Sequence, residues 1–440
     1  MIFMQGRFFY VKDILKMALP IVYGNIGFIM IGVGDVIVAG RHSTDTLAAI
    51  SIATAFTHCI MIFGIGILCT ISAILSNYRG EGKKLETYFY PSLKFALMLS
   101  LFISFVILGC IPLVDKLGFA SNIAPAIKDY LFITAFATFG GYIHCMSKEY
   151  LQAFEIVVFP NLLTIFCIFL NVALNIIFAF GFGFIPEMGA KGLAIASLIT
   201  RYFMGFVLLI YCYKKLNIQT DKIKGYYKDL FRVGLPSSIA IVIEFTGFNI
   251  IAVVMGRISG IYAAAHNLIC TLTSVAFMIP LAISNALAVK VGFTNGAKLF
   301  KSLKNYAYTG LTMSIAVMFC SVLCLSLFPE FFVRLFTKDA ALVEICLPIA
   351  YVLCFFQIFD GLQVTFSGIF KGLKNTKIVM ISNIVSYWFL AFPLGCLLAF
   401  RFNLNLLGFW SSLAFSSVIL CSIMFLVMIG KFRKLKSDSL

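Results

Sequence analysis

Apolar runs of more than 20 residues, separated by short polar connections, follow one another along this chain from end to end. An α-helix needs about 20 residues to cross the hydrocarbon layer of a bilayer. Broken at Lys, Gly, Pro and Asp, the chain yields twelve predicted spans: 13–39, 47–76, 90–115, 124–146, 156–182, 188–212, 229–256, 260–289, 303–328, 341–367, 377–400 and 404–430. A soluble domain carries about a quarter charged residues, whereas here 61% are hydrophobic and only 12% charged. Such a chain has too little polar surface to cover a core in water. The runs also lack the short alternation of an outer-membrane barrel. The expected fold class is an all-α polytopic membrane protein. No small-residue cleavage site follows the first apolar run, so the first span is expected to stay in the mature protein.

Basic residues collect in cytoplasmic loops. Placing the amino terminus in the cytoplasm puts 24 loop Lys and Arg inside, including Lys222, Lys224 and Lys436, against eight outside, with Lys94 and Arg201 falling within spans. Both termini are therefore expected inside. The net charge of +16 reflects this topology and contact with anionic lipid, and requires no nucleic acid.

The sequence repeats. At an offset of 216, Leu19-Pro20 aligns with Leu235-Pro236, Gly40-Arg41 with Gly256-Arg257, Ala48-Ala49 with Ala264-Ala265 and Gly80 with Gly296. At 219, Leu151-Gln152-Ala153 falls on Phe370-Lys371-Gly372 and Gly189 on Gly408. Two six-helix bundles are expected, 1–212 and 229–440, the second ending in a basic cytoplasmic tail, joined by a cytoplasmic linker at 213–228. An even number of spans per half gives both copies the same orientation. Transporters commonly place their binding site between such halves.

Three carboxylates, Asp35, Glu244 and Asp360, lie inside apolar runs. An acid at the centre of a spanning helix costs roughly 2.5–3.5 kcal/mol on insertion scales, so such residues usually face a wet cavity and mark an ion or substrate path. In span 1, Gly24, Gly27 and Gly34 share one side of the helix, with Asp35 about 20° from Gly24 and Gly32 off the stripe. Small residues let another backbone approach, which would turn Asp35 toward protein. An acid snorkelling to the interface is the alternative. Glu244 is mid-span, near Thr246 and Asn249, with no base within two turns on its helix; a structural buried acid is the alternative there. Asp360 has Gln357 and Gln363 three residues to either side and Ser367 beyond, a polar stripe that suits a hard cation, a proton or interhelical hydrogen bonding. A Phe-rich cavity with a few acids would attract lipophilic cations, although most of the 48 Phe must face lipid. The thirteen cysteines form no CxxC, Cys320 and Cys324 read as packing, and the four histidines have no ligand-like spacing. No metal-ligand cluster is assigned.

The run Leu170-Asn171-Val172-Ala173-Leu174-Asn175-Ile176-Ile177-Phe178, followed by Pro186-Glu187-Met188-Gly189-Ala190-Lys191-Gly192-Leu193-Ala194, resembles the pattern at and after span 5 of the MATE (multidrug and toxic compound extrusion) family. Leu19-Pro20, Asp35-Val36-Ile37-Val38-Ala39-Gly40 and Phe277-Met278-Ile279-Pro280-Leu281 carry the same resemblance, which covers nearly the whole chain. The NorM-type branch is most similar, having acids at the positions of Asp35, Glu244 and Asp360. The resemblance implies a MATE-like fold and an antiporter in which inward movement of sodium, protons or both drives export of cationic drugs. It implies cation binding, possible sodium coordination included, at Glu244 and Asp360. It further implies a role in proton or drug coupling for Asp35; Asn171, Asn175, Asn249, Phe356 and Gln357 are the other candidates for coupling or drug binding. Asn175 stands where the DinF-type branch has an acid, Phe356 where NorM-type proteins can have Tyr, and Ala265-His266-Asn267 departs from Ala-His-Gln.

The expected function is cation-coupled export of lipophilic cations by alternating access, with sodium ion or proton as coupling ion and no other cofactor. The expected setting is the inner membrane, the chain acting as a monomer. The alternative is a flippase for a lipid-linked saccharide, whose pyrophosphate calls for deep bases; only Arg201 and Lys94 lie within spans. No HExxH, GxSxG or phosphate-cradling glycine loop suggests an enzyme, and a passive scaffold gives no reason for three buried acids.

Overall fold

The computed structural model describes residues 6–221, 223 and 225–437, with side chains as far as 435. Lys222, Lys224 and the side chain of Lys436, three bases assigned to the inner side, lie outside the described residues. Twelve long helices occupy the described residues, one for each predicted span. They are α1 (Arg7–His42), α2 (Thr44–Gly80), α3 (Leu85–Lys116), α4 (Ala124–Ala153), α5 (Val158–Phe180), α6 (Gly189–Lys215), α7 (Tyr226–Ile258), α8 (Gly260–Gly296), α9 (Phe300–Leu327), α10 (Ala340–Gly372), α11 (Thr376–Arg401) and α12 (Asn405–Ser437). A short helix, Pro329–Arg334, joins α9 to α10.

Eleven of these are long and apolar enough to cross a membrane; α4 is the exception. Its final turns carry His144, Lys148, Glu149 and Gln152, and three of these are buried in protein rather than offered to lipid, His144 at 8%, Glu149 at 6% and Gln152 at 2% exposure. Ser72 Oγ donates to Glu149 at 2.5 Å. A helix surrounded by other helices does not need an apolar surface all round, so it reads as more polar than its neighbours.

Contacts divide the chain into two compact units. One is Tyr23–Ser238; the other joins the residues before Tyr23 to Ile239–Leu440. The units follow the sequence halves except at α1 and α7, each of which passes from one unit to the other. The crossings at Val22 and Ser238 are separated by the repeat offset of 216 and lie two residues after Pro20 and Pro236. A proline inside a helix removes one backbone bond and lets it bend. Repeat-related aspartates anchor the segments before these points. Asp13 accepts from Tyr306 Oη at 2.6 Å and pairs with Lys290 at 2.8 Å. Asp229 accepts from Tyr78 Oη at 2.8 Å.

Two local features position the acids. The glycine stripe of α1 lies against α5, where a Cβ on Gly24 would fall 1.8 Å from Asn161 Oδ1 and one on Gly34 2.9 Å from Val172 Cγ2, while Gly32 has nothing within 4 Å. On α11, π-helical turns at Ile384–Ala391 and Leu397–Arg401 flank Phe392–Cys396, beside Pro393, which has no N–H to continue an α ladder. Such bulges recur at functional positions, and this one carries Tyr387.

Candidate functional site

In the first unit the close approach of α1 to α5 brings Asp35 beside two amides. Asn175 Nδ2 donates to Asp35 Oδ1 at 2.6 Å and to Asn171 Oδ1 at 3.1 Å. From α6, Ser197 Oγ donates to Asp35 Oδ2 at 3.2 Å. Asn171 and Asn175 are fully buried, and Asp35 is half-buried. Both carboxylate oxygens are thus met by neutral donors. Arg201, one turn beyond Ser197, acts on Asp35 by its charge without an ion pair, its Nη1 lying 3.5 Å from Met61 Sδ. Asp35 is turned toward protein, not snorkelling.

The second unit brings two acids within electrostatic reach of each other. Glu244 Oε2 accepts from Gln363 Nε2 at 3.0 Å and from Asn383 Nδ2 at 3.5 Å, and the same Asn383 amide reaches Ala240 O at 3.2 Å. Tyr387 Oη donates to Gln363 Oε1 at 3.3 Å. Asp360, 6% exposed, lies near enough to Glu244 and Tyr387 for their charges to interact. Asn383 Oδ1 is buried with no hydrogen-bond partner, an oxygen left over beside two carboxylates. Among the described residues, no ion pair involves Asp35, Glu244 or Asp360.

Aromatic rings pack together on the helices that carry these acids. Phe356 is buried, its ring 5.6 Å from Trp410 and 6.3 Å from Phe248, which is in turn 6.1 Å from Tyr387. His266 lies 5.8 Å from Trp410 and its Nε2 meets Phe248 O at 3.0 Å.

Two residues expected beside the acids point elsewhere. Gln357 accepts from Ser321 Oγ of α9 at 3.2 Å, so the stripe on α10 splits between two neighbours and only Gln363 turns to Glu244. Asn249 is exposed and donates to Phe245 O of its own helix at 2.7 Å. Conversely, Ser197, Asn383, Tyr387 and Trp410 were not singled out in the sequence. A signal existed: Ser382, Asn383, Ser386 and Tyr387 recur at helical spacing in an otherwise apolar run.

The profile of the MatE family matches residues 20–177 and again 236–397, the two matches starting at Pro20 and Pro236. The chain belongs to the MATE family. A probable multidrug resistance protein NorM of Xanthomonas campestris is 30% identical over 397 residues, covering 86% of this chain and 85% of that protein. A like-named protein of Photorhabdus laumondii is 26% identical over 431 residues, 95% of each. These relatives place the chain with the NorM-type MATE proteins. The crystal structure of the eukaryotic MATE transporter AtDTX14 superposes with a TM-score of 0.87 at 18% identity, covering 99% of this chain and all of that one, which shows the shared fold. The chain is a multi-pass membrane transporter of the MATE family, not an enzyme.

Proposed function

We propose that this MATE protein exports lipophilic, mostly cationic small molecules across the inner membrane in exchange for sodium ions or protons, with both termini cytoplasmic and one chain as the working unit. The observation that carries the reading is the Glu244–Asp360 pair. Two carboxylates near enough for their charges to interact, with amide groups on Glu244 and only Lys371 in electrostatic reach of it among the described residues, leave negative charge in excess. That arrangement is costly unless a cation enters or a proton is taken up. Glu244, Asp360, Gln363 Oε1, Tyr387 Oη and the spare Asn383 Oδ1 supply the hard oxygen donors that sodium takes. The NorM-named relatives support multidrug export.

The proposed cycle is alternating access. Cation binding at Glu244 and Asp360 lowers affinity for the exported molecule in the outward state, and binding of that molecule from inside displaces the cation. Linkage makes this antagonism reciprocal. Asp35, Asn171 and Asn175 form a second polar centre that couples to export, and Phe356 offers an aromatic face for a cationic ligand.

Dye efflux from inverted vesicles, driven separately by a sodium gradient and by a pH gradient, tests the proposal. Either gradient should drive efflux, and Asp360→Asn should abolish that drive while the protein still inserts. Unchanged efflux in the variant removes Asp360 from the mechanism. A response to neither gradient favours flipping of a lipid-linked saccharide.

A further inference from the structure

At its last residue, α1 is tied to the α5–α6 connection. His42 Nε2 lies 2.8 Å from Glu187 Oε1, and Nδ1 lies 2.9 Å from Thr46 Oγ1, which also accepts from Ser43 Oγ at 2.9 Å. The connection is stiff. Phe182 and Ile185 form a β-bridge, Met188 N donates to Phe178 O at 3.1 Å, and Gly181 (φ +79°) packs where a Cβ would fall 2.8 Å from Glu187 N. Gly189 (φ +52°) then opens α6 directly against the imidazole, where a Cβ would lie 3.1 Å from His42 Cε1. Glu187 is therefore presented to His42 by a backbone with little freedom of its own.

The helices joined here are the ones that build the first acid site. Asp35 lies seven residues before His42, about 10 Å along the helix axis; Asn175 is on α5 and Ser197 on α6. Most of α1 between Phe28 and Ile37 is exposed, and its last turns are then buried through Val38 and Ala39. We infer that His42 and Glu187 are positioning residues: a clasp that sets α1 against α5 and α6 and so keeps Asp35 within reach of Asn175 and Ser197. The inference deepens the proposed antiport reading and rests on it for one of its two readouts only.

Charged groups of both signs lie around His42. Glu187 faces it from the α5–α6 connection, and Asp45 of α2 lines the same cavity of about 430 Å³, with neutral Asn122 bonded to Asp45 at 2.9 Å. Phe180 of α5 contributes only its ring, 5.4 Å away. Arg41 is the adjacent base on α1, and Lys191 of α6 is engaged by Asp129 at 3.5 Å. Glu187 is 66% exposed and His42 13%, which limits the effect to about threefold, as for a largely solvated pair.

The test compares the full-length protein in lipid vesicles with His42→Gln, Glu187→Gln and the exchanged pair His42→Glu/Glu187→His. Protection of the amides of residues 181–188 from hydrogen exchange should fall by about threefold in each single variant. The exchanged pair should restore it. Dye efflux should follow the same pattern. Single variants that keep the parent's protection overturn the clasp, and so does a loss that the exchanged pair fails to repair. A parent without efflux that still shows the exchange pattern leaves the clasp standing and removes the antiport reading instead.

Discussion

The two halves share a scaffold but not a chemistry. At the repeat offset of 216, Asp35 corresponds to Ile251, which is 3% exposed, and Glu244 to Phe28, which is 57% exposed; at 219, Asp360 corresponds to Gly141. Each half keeps the proline and the crossing point of its first helix, yet places its acid elsewhere. The first half has one carboxylate whose oxygens are both satisfied by neutral donors, with Arg201 in electrostatic reach. The second has two carboxylates and an unused amide oxygen, with Lys371 in electrostatic reach of Glu244. A satisfied single acid beside one base has little need of a cation, whereas two carboxylates facing one base draw one. Duplication supplied two equivalent frames, and the division of labour lies in side chains that the repeat does not copy.

The largest expected effect tests that division directly. Glu244→Gln and Asp360→Asn should each lower cation-stimulated efflux by about a hundredfold or more. The double variant should be little worse than either, as expected for groups acting as one unit. Asp35→Asn should slow efflux but leave cation binding intact. The chain's two tryptophans, Trp388 and Trp410, both lie in the second unit, and Trp410 packs on Phe356 and Phe248 beside the site. Their fluorescence is therefore a reporter of cation binding there. A cation-dependent signal that survives Asp360→Asn but disappears in Asp35→Asn reverses the assignment.

A second comparison concerns how each acid-bearing helix docks. Gly24→Val forces a side chain into Asn161, where a Cβ alone would fall 1.8 Å from Oδ1, and should cost about 1–3 kcal/mol as an overpacked interface. A Cβ on Gly247 of α7 would lie 3.4 Å from Tyr387 Cδ1, an ordinary van der Waals contact, so Gly247→Ala should be tolerated. Gly32→Ala, open within 4 Å, should be neutral or slightly stabilising because alanine favours a helix. Thermal unfolding in detergent ranks the three, and a Gly24→Val protein as stable as Gly32→Ala would remove the α1–α5 contact as the device that places Asp35.

The architecture was legible because a bilayer imposes a length on every helix and a cost on every charge: spans, repeat and the three acids all follow from those constraints. The Gly24–Gly27–Gly34 stripe also foretold a close neighbour, since nothing but another helix explains small residues at that spacing. What the sequence hid is which neighbour each polar residue meets. Gln357 and Gln363 are equally spaced about Asp360, yet one turns to Ser321 and the other to Glu244, a choice set by helices distant in sequence. Asn383 and Tyr387 were overlooked because Ser, Asn and Tyr in an apolar run commonly serve as interhelical glue. Their contribution depends on the π turns of α11, which no periodicity announced.

The smallest expected effect separates the two donors of Asp35. Asn175→Ala deletes the shorter bond, 2.6 Å, from a fully buried amide and also strands Asn171, so it should cost about 1–3 kcal/mol. Ser197→Ala deletes a 3.2 Å bond and should cost only about 0.5–1.5 kcal/mol, because Asn175 still holds the other oxygen. If urea or thermal titration reverses that order, Asp35 is held chiefly from α6. Its coupling would then run through the helix that carries Arg201, and the first half would resemble an acid–base pair more than the neutral cluster contrasted above with Glu244 and Asp360.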